Sequence, residues 1–138
     1  MKNIGWCLPL VAVLTLVGCS TGDRLYPVTG TVKYADGSAP QGEVATIRFE
    51  PIKKSEDAMG RSPAAGQLDA EGKFQLTTRE ANDGVQAGDY KVTLTILKKY
   101  GGQESLVASK YELATTTPLD AKVGPDLPKH FDFVVERR

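Results

Sequence analysis

The sequence has few of the residues that carry most thiol and metal chemistry. It contains two cysteines, one tryptophan and one histidine in 138 residues. Trp6 and Cys7 lie in an apolar N-terminal stretch, and Cys19 directly follows that stretch. A chain that loses this stretch keeps one cysteine, so it cannot form an internal disulfide. A core stabilised by disulfides or by a cysteine-ligated metal is therefore excluded, and the fold must depend on apolar burial.

An excess of charge of either sign is also absent. The chain has 17 basic and 17 acidic residues, for a formal net charge of +0. Residues 1–18 contain one charged residue, Lys2, so their removal leaves sixteen basic against seventeen acidic residues. Nucleic-acid binding needs a clustered basic surface, and the terminal Arg137-Arg138 pair is too short to supply one. Nucleic acid is therefore excluded as a partner.

The N-terminus has the pattern of a cleaved export signal. Lys2 precedes a mostly apolar run over residues 4–17, which has the length of a signal-peptide core and is too short for a membrane span. The run ends in Leu16-Val17-Gly18-Cys19, which resembles the lipobox of bacterial lipoproteins. The alternative is an ordinary signal peptide that happens to contain a cysteine.

The lipobox resemblance implies cleavage between Gly18 and Cys19 and acyl chains such as palmitate on Cys19. Each buried methylene of such a chain contributes about 0.8 kcal/mol, and two or more chains hold a protein firmly in a membrane. We therefore expect residues 1–18 to be a signal peptide and residues 19–25 a lipidated cysteine and short tether. The expected location is extracytoplasmic and lipid-anchored to a bacterial membrane, and Ser20 after the cysteine is compatible with the outer membrane.

From residue 25 onwards, apolar and polar residues alternate with a period of two, which is typical of half-buried strands. Turn residues such as Asp36-Gly37 and Gly72 separate the alternating runs. The pattern predicts an all-β fold, a seven-stranded antiparallel sandwich over residues 26–138. The predicted strands are residues 26–34, 43–50, 66–68, 73–78, 90–97, 118–123 and 129–136.

Four motifs carry a family resemblance: Val28-Thr29-Gly30-Thr31-Val32, Ile47-Arg48-Phe49-Glu50-Pro51, Asp69-Ala70-Glu71-Gly72-Lys73-Phe74 and Ala87-Gly88-Asp89-Tyr90-Lys91-Val92. Together they resemble the carboxypeptidase regulatory-like domain, a transthyretin-like (prealbumin-type) β-sandwich. Lys110-Tyr111, Thr117-Pro118-Leu119 and Phe131-Asp132-Phe133 are similar to a subset, the small planctomycete lipoproteins with this domain. These motifs imply a fold and say little about function. In such sandwiches a tyrosine placed like Tyr90 can hydrogen-bond to local backbone, which we take as a hypothesis here.

The sequence offers few residues that could catalyse a reaction or bind a metal ion. His130 is the one histidine, and Asp132 lies two residues away on the same strand face, so the two side chains can meet. A surface histidine is the simpler interpretation, because catalysis would also need a nucleophile. Asp69, Glu71, Asp83 and Asp89 offer oxygen ligands for calcium, but turn chemistry explains them as well. Transthyretin-like hydrolases carry several histidines and a Tyr-Arg-Gly-Ser C-terminus, which this sequence lacks.

We therefore expect a non-catalytic module without cofactor or metal, acting as a structural or protein-interaction domain at the cell envelope. Sheet edges and the loops at residues 52–63 and 98–110 are the expected binding surfaces. The alternative is an envelope carbohydrate-binding module, with Tyr100 and Tyr111 as sugar-binding residues; partial burial of both rings is the simpler expectation. A transthyretin-like hydrolase is the weaker alternative.

Overall fold

The computed structural model describes residues 24–53 and 60–138. The predicted cleavage point at Gly18 and Cys19, the lipidated Cys19 and the middle of the 52–63 loop lie outside these residues. The described chain is all-β apart from one short 3₁₀ helix at Ser109–Glu112. Its strands are β1 (Leu25–Tyr26), β2 (Thr29–Tyr34), β3 (Val44–Pro51), β4 (Ala64–Gln67), β5 (Lys73–Gln75), β6 (Val85–Gln86), β7 (Gly88–Leu97), β8 (Asp120–Val123) and β9 (His130–Val135).

Seven of these strands form two larger sheets. One has the order β4-β3-β7-β8 and is antiparallel throughout; the other has the order β5-β2-β9. The remaining strands, β1 and β6, form a two-stranded ladder, with Leu25 opposite Gln86. Each of the seven predicted strands overlaps one strand of the larger sheets. The predicted strand at residues 26–34 merges the end of β1 with β2, and the two-residue strand β6 was not predicted, because two residues are too few to show a period.

One pairing differs from the antiparallel expectation. β2 and β9 run parallel, with Thr29 opposite His130 and Tyr34 opposite Val135. A parallel pair needs a long crossover, and here the rest of the domain lies between the two strands. The first and last strands of the domain are therefore neighbours in one sheet.

The two larger sheets face each other across one apolar core. Phe49 of β3 lies at its centre, with its ring centroid 5.9 Å from that of Tyr90 and 6.4 Å from that of Phe133. Phe133 stacks on Phe74 at 6.3 Å. The inward residues of each strand are the apolar ones that the alternation predicts, since successive strand residues point to opposite faces. The all-β, sandwich-like prediction is confirmed for the described residues.

The hairpin of β4 and β5 joins the two sheets along one side. Ala65 and Thr77 exchange two backbone hydrogen bonds of 2.9 and 2.8 Å. The hairpin turn is closed by Asp69, whose carboxylate accepts the N–H groups of Glu71 and Lys73 at 2.9 and 2.8 Å. Gly72 has φ +78°, the left-handed conformation that glycine adopts without steric cost. The outer surface consequently runs from one sheet to the other without a break at this side.

The C-terminus is clamped onto the turn that follows β2. The Arg137 guanidinium lies 3.7 Å from the ring centroid of Tyr34 and donates to the Asp36 carboxylate at 2.7 Å. The hydroxyl and backbone N–H of Ser38 donate to the other Asp36 oxygen at 2.6 and 2.9 Å. These hydrogen bonds from Ser38, with the contribution of Arg137, lower the pKa of Asp36 to about 2. The carboxylate therefore stays charged well into the acid range.

Candidate functional site

A row of polar side chains crosses the outer surface where the two sheets join. Strand register places its members side by side on six strands: Thr46 is opposite both Thr95 and Gln67, and Thr29 is opposite both Gln75 and His130. The Ala65–Thr77 bridge sets the register of the β4–β5 hairpin, so Gln67 faces Gln75 across the seam. We call this set the transverse polar row: Thr95, Thr46, Gln67, Gln75, Thr29 and His130.

Two adjoining depressions lie along the middle of the transverse polar row. One, of about 420 Å³, is lined by Thr46, Gln67 and Gln75 together with Ala65, Gly66, Thr77 and Asn82. The other, of about 440 Å³, is also lined by Gln67 and Gln75 and extends to Thr29 and His130. Gln67 and Gln75 therefore stand where the two depressions meet. No described residue hydrogen-bonds the side-chain amide of either glutamine.

Asn82, at the edge of the first depression, has an unusual backbone. Its φ is +59°, the one positive value among non-glycine residues in the described part of the chain. Asparagine tolerates this conformation better than most residues. The Thr77 hydroxyl accepts the backbone N–H of Asn82 at 2.9 Å. In the same loop, the Asp83 carboxylate accepts the backbone N–H groups of Thr78 and Arg79 at 2.7 and 2.9 Å. The loop that carries Asn82 is thus held rigidly beside the row.

At the β9 end of the row, His130 belongs to a hydrogen-bonded chain of four side chains. His130 Nδ1 is 3.1 Å from the Thr29 hydroxyl, and His130 Nε2 is 3.0 Å from Asp132 Oδ1. The Thr31 hydroxyl donates to the same Asp132 oxygen at 2.6 Å. The bond from Thr31, together with the adjacent His130, lowers the pKa of Asp132. The contact between His130 and Asp132 that the sequence suggested is confirmed.

The four hydrogen-bonded side chains include Thr29, a nucleophile candidate that the sequence alone did not single out. Thr29, His130 and Asp132 stand in the order hydroxyl, imidazole, carboxylate, which is the order used to activate a nucleophile. However, the side chains of His130 and Asp132 are 58% and 66% exposed. Catalytic hydrogen bonds gain most of their strength where water is excluded. The open depression is therefore better suited to binding a polar molecule than to stabilising a transition state.

The two tyrosines expected to bind sugar lie in very different surroundings. Tyr100 is 86% exposed at the loop that follows β7, and its N–H donates to the Glu43 carboxylate at 2.8 Å. Tyr111 is only 3% exposed, within the 3₁₀ helix, and its hydroxyl accepts the N–H of Glu136 at 3.3 Å. A buried ring cannot cover the face of a sugar, so only Tyr100 presents its ring to solvent.

The carboxylates considered for calcium are used elsewhere or lie apart. Asp69 and Asp83 accept backbone N–H groups in their own turns, and Glu71 forms an ion pair of 2.7 Å with Lys73. Among residues 24–53 and 60–138, no three histidine, cysteine or acidic side chains lie close enough to hold a metal ion. The contacts of Asp69 and Asp83 correspond to the turn chemistry that was the simpler interpretation.

The four edges of the two sheets differ in how they are protected. The β4 and β5 edges pair with each other through Ala65 and Thr77. The β8 edge carries exposed charges at Asp120 and Lys122, and charge discourages strand addition. β9 is the remaining edge, and its exposed side chains include Val134, which is 63% exposed.

The outward backbone groups of β9 follow from its pairing. The Thr29 N–H donates to the carbonyl oxygen of Lys129, so the odd-numbered residues of β9 direct their backbone groups towards β2. In a parallel ladder the alternate residues direct theirs away. The N–H and C=O groups of His130, Asp132 and Val134 therefore face outward, and no described residue forms a backbone hydrogen bond with them.

Comparison with known proteins adds no relative. No family model matches the chain, and neither does any curated protein or solved structure. In the part of the chain that the structure describes, no helix has both the length and the apolarity needed to cross a membrane.

Proposed function

We propose that this chain is a bacterial lipoprotein, anchored through acylated Cys19, whose β domain binds another envelope protein without catalysing a reaction. The domain would be of the carboxypeptidase regulatory-like, transthyretin-like type. Seven strands in two facing sheets support that assignment. So does the Tyr90 hydroxyl, which donates to the carbonyl oxygen of Gln86, four residues earlier, at 2.7 Å.

The outer edge of β9 is the observation that carries the proposal. Six residues, His130–Val135, form an extended edge with outward backbone groups at every second position. An extended segment of a partner can add to such an edge as a further strand, in which backbone hydrogen bonds supply affinity and neighbouring pockets supply specificity. Val134 lies on this edge and offers an apolar contact to the added strand.

The chain itself already uses this edge just beyond β9. Ala108 donates its N–H to the carbonyl oxygen of Glu136 at 3.0 Å, and Val107 bridges to Arg137. Strand addition on this side is therefore sterically accessible, and a partner strand along His130–Val135 would continue it. A short tether at residues 19–25 would keep the edge close to the membrane, where envelope partners are available.

Site-specific photocrosslinking in living cells tests the proposal. A photoreactive amino acid at position 134 should yield one dominant protein adduct, whereas the same group at Lys122, exposed on the charge-protected β8 edge, should not. For the next variant the photoreactive group is moved to position 132, in place of Asp132. In that protein Val134→Pro should abolish the adduct, because proline removes an outward N–H that strand addition needs. The β2 ladder does not use that N–H, so the domain should remain folded.

Val134→Thr is the matched control, since threonine is also β-branched and keeps the N–H. It should retain the adduct. An adduct that persists in Val134→Pro, or the absence of any adduct from β9, would rule out β9 strand addition as the function.

A further inference from the structure

The transverse polar row is suited to a ligand that is not a protein. It would hold that ligand through polar side chains, without an aromatic platform. We infer that this row is a binding site for a neutral linear oligosaccharide. The site uses outer-face side chains, whereas the proposed protein partner would use the backbone edge of β9, so either can exist without the other.

The first argument is the hydrogen-bonding capacity of the row. A glutamine side chain has two N–H donors and a carbonyl acceptor, and a threonine hydroxyl both donates and accepts. Sugar hydroxyl groups also donate and accept, so amides and hydroxyls pair with them at either end of the bond. Gln67 and Gln75 are exposed, stand opposite each other across the seam, and have no hydrogen-bond partner for their side-chain amides among the described residues. Their full capacity is available to a ligand.

The second argument is the charge on either side of the row. The row itself contains no acidic, lysine or arginine side chain. Asp69 and Lys73 also line the second depression, but Asp69 accepts backbone N–H groups of its own turn and Lys73 is ion-paired. On the adjacent positions Arg48 pairs with Glu50 at 2.9 Å, and Lys73 pairs with Glu71 at 2.7 Å. An anionic ligand such as phosphate would need free arginine or lysine here. Protein interfaces that bind through side chains are enriched in aromatic and arginine residues, and the row has neither. A neutral polyhydroxylated ligand needs neither.

The third argument is shape. Neighbouring strands are about 4.8 Å apart, so the four middle members of the row, Thr46, Gln67, Gln75 and Thr29, span roughly 14 Å of surface. That spacing is close to the length of one sugar ring in an extended chain, and the total is comparable to a short oligosaccharide. The two adjoining depressions, of about 420 and 440 Å³, form an open trough along the middle of the row. Gln67 and Gln75 line both, so a linear chain lying in the trough would contact both amides.

The experiment is an NMR titration of the full-length, nitrogen-15-labelled protein in a detergent without a sugar headgroup. The probes are cellotetraose, maltotetraose and chitotetraose. At least one should shift the side-chain amide signals of Gln67 and Gln75 saturably, with a dissociation constant in the millimolar range. Removing both amides in Gln67→Ala/Gln75→Ala should weaken binding by about tenfold, because the hydrogen bonds of both amides to the ligand are lost; tenfold corresponds to about 1.4 kcal/mol.

Two further variants separate the row from general effects. Gln41→Ala removes an exposed amide outside the row and outside the loops expected to bind, and it should leave the affinity unchanged. Gln67→Glu/Gln75→Glu keeps the side-chain size, removes the amide donors and should also lose binding. The affinity of each double variant is followed through the backbone amide signals of the row, because its side-chain amides are gone. The inference is overturned if none of the three tetrasaccharides shifts the two amide signals of the parent saturably, or if either double variant binds as tightly as the parent.

Discussion

The tyrosine at the start of β7 offers the sharpest test of how this fold is stabilised. Tyr90 is fully buried, and its hydroxyl donates to the carbonyl oxygen of Gln86 at 2.7 Å. In Tyr90→Phe the ring keeps its apolar contacts, including the Phe49 ring with its centroid 5.9 Å away. The substitution therefore isolates the hydroxyl group and the hydrogen bond that joins β7 to β6.

The expected cost follows from this geometry. A net hydrogen bond contributes about 0.5–1.5 kcal/mol, and a buried acceptor that loses its donor adds a desolvation cost of about 1–3 kcal/mol when nothing replaces the donor. Gln86 is 7% exposed, so water replaces the donor only in part. We expect Tyr90→Phe to lower the free energy of unfolding by about 1–2 kcal/mol. For a domain of this size that corresponds to a Tm lower by about 4–8 °C.

Thermal and urea unfolding followed by circular dichroism would measure this effect. The urea m-value should not change, because the surface exposed on unfolding is nearly the same. Tyr100→Phe is the matched control: this ring is 86% exposed, so loss of its hydroxyl should change stability by less than about 0.5 kcal/mol. Equal Tm values for the two variants would refute the role of the Tyr90 hydrogen bond.

Three further predictions concern turns, acid stability and the anchor. A Cβ on Gly72 would lie 2.3 Å from a backbone oxygen, whereas one on Gly37 meets nothing within 4 Å. Both have positive φ, so Gly37→Ala should cost about 1–2 kcal/mol in urea unfolding and Gly72→Ala clearly more; equal costs would contradict the close approach. The pKa of Asp36 is lowered from 3.8 to about 2 on folding, so its contribution to stability is complete above pH 4 and is lost as the pH falls from about 4 to 2. Asp36→Asn should remove that part of the pH dependence in acid titrations, and an unchanged pH profile would contradict it. Cys19→Ser should abolish acylation, seen by mass spectrometry, and release the protein from the membrane fraction; a membrane-bound, acylated variant would rule out Cys19 as the anchor.

Local patterns predicted the strands well because burial of one strand face leaves a direct record in the sequence. Tyr90 to Ile96 alternates apolar and polar residues, and β7 covers Gly88–Leu97. The hydrogen bond of Tyr90 was also foreseeable, since its acceptor is four residues away. The contact between His130 and Asp132 follows from the same period-two geometry within one strand.

Long-range contacts escaped prediction because nothing local encodes them. The parallel pairing of β2 with β9 joins Thr29 to His130, 101 residues apart. Tyr111 lies in an irregular segment, where a single aromatic residue has no periodic neighbours to indicate its burial. The transverse polar row has members from six strands, and only the register of those strands aligns them.

By itself, the sequence determined the all-β class, the positions of the strands and the turn chemistry at Asp69 and Gly72, because each depends on residues close together in the chain. It also determined the motif for which Cys19 is the expected anchor. The tertiary structure decided the strand order, the exposed β9 edge, the burial of Tyr111 and the alignment of Gln67 with Gln75. Those features depend on which strands pair and in what register, and that choice is made by burying all the apolar faces in one core at once.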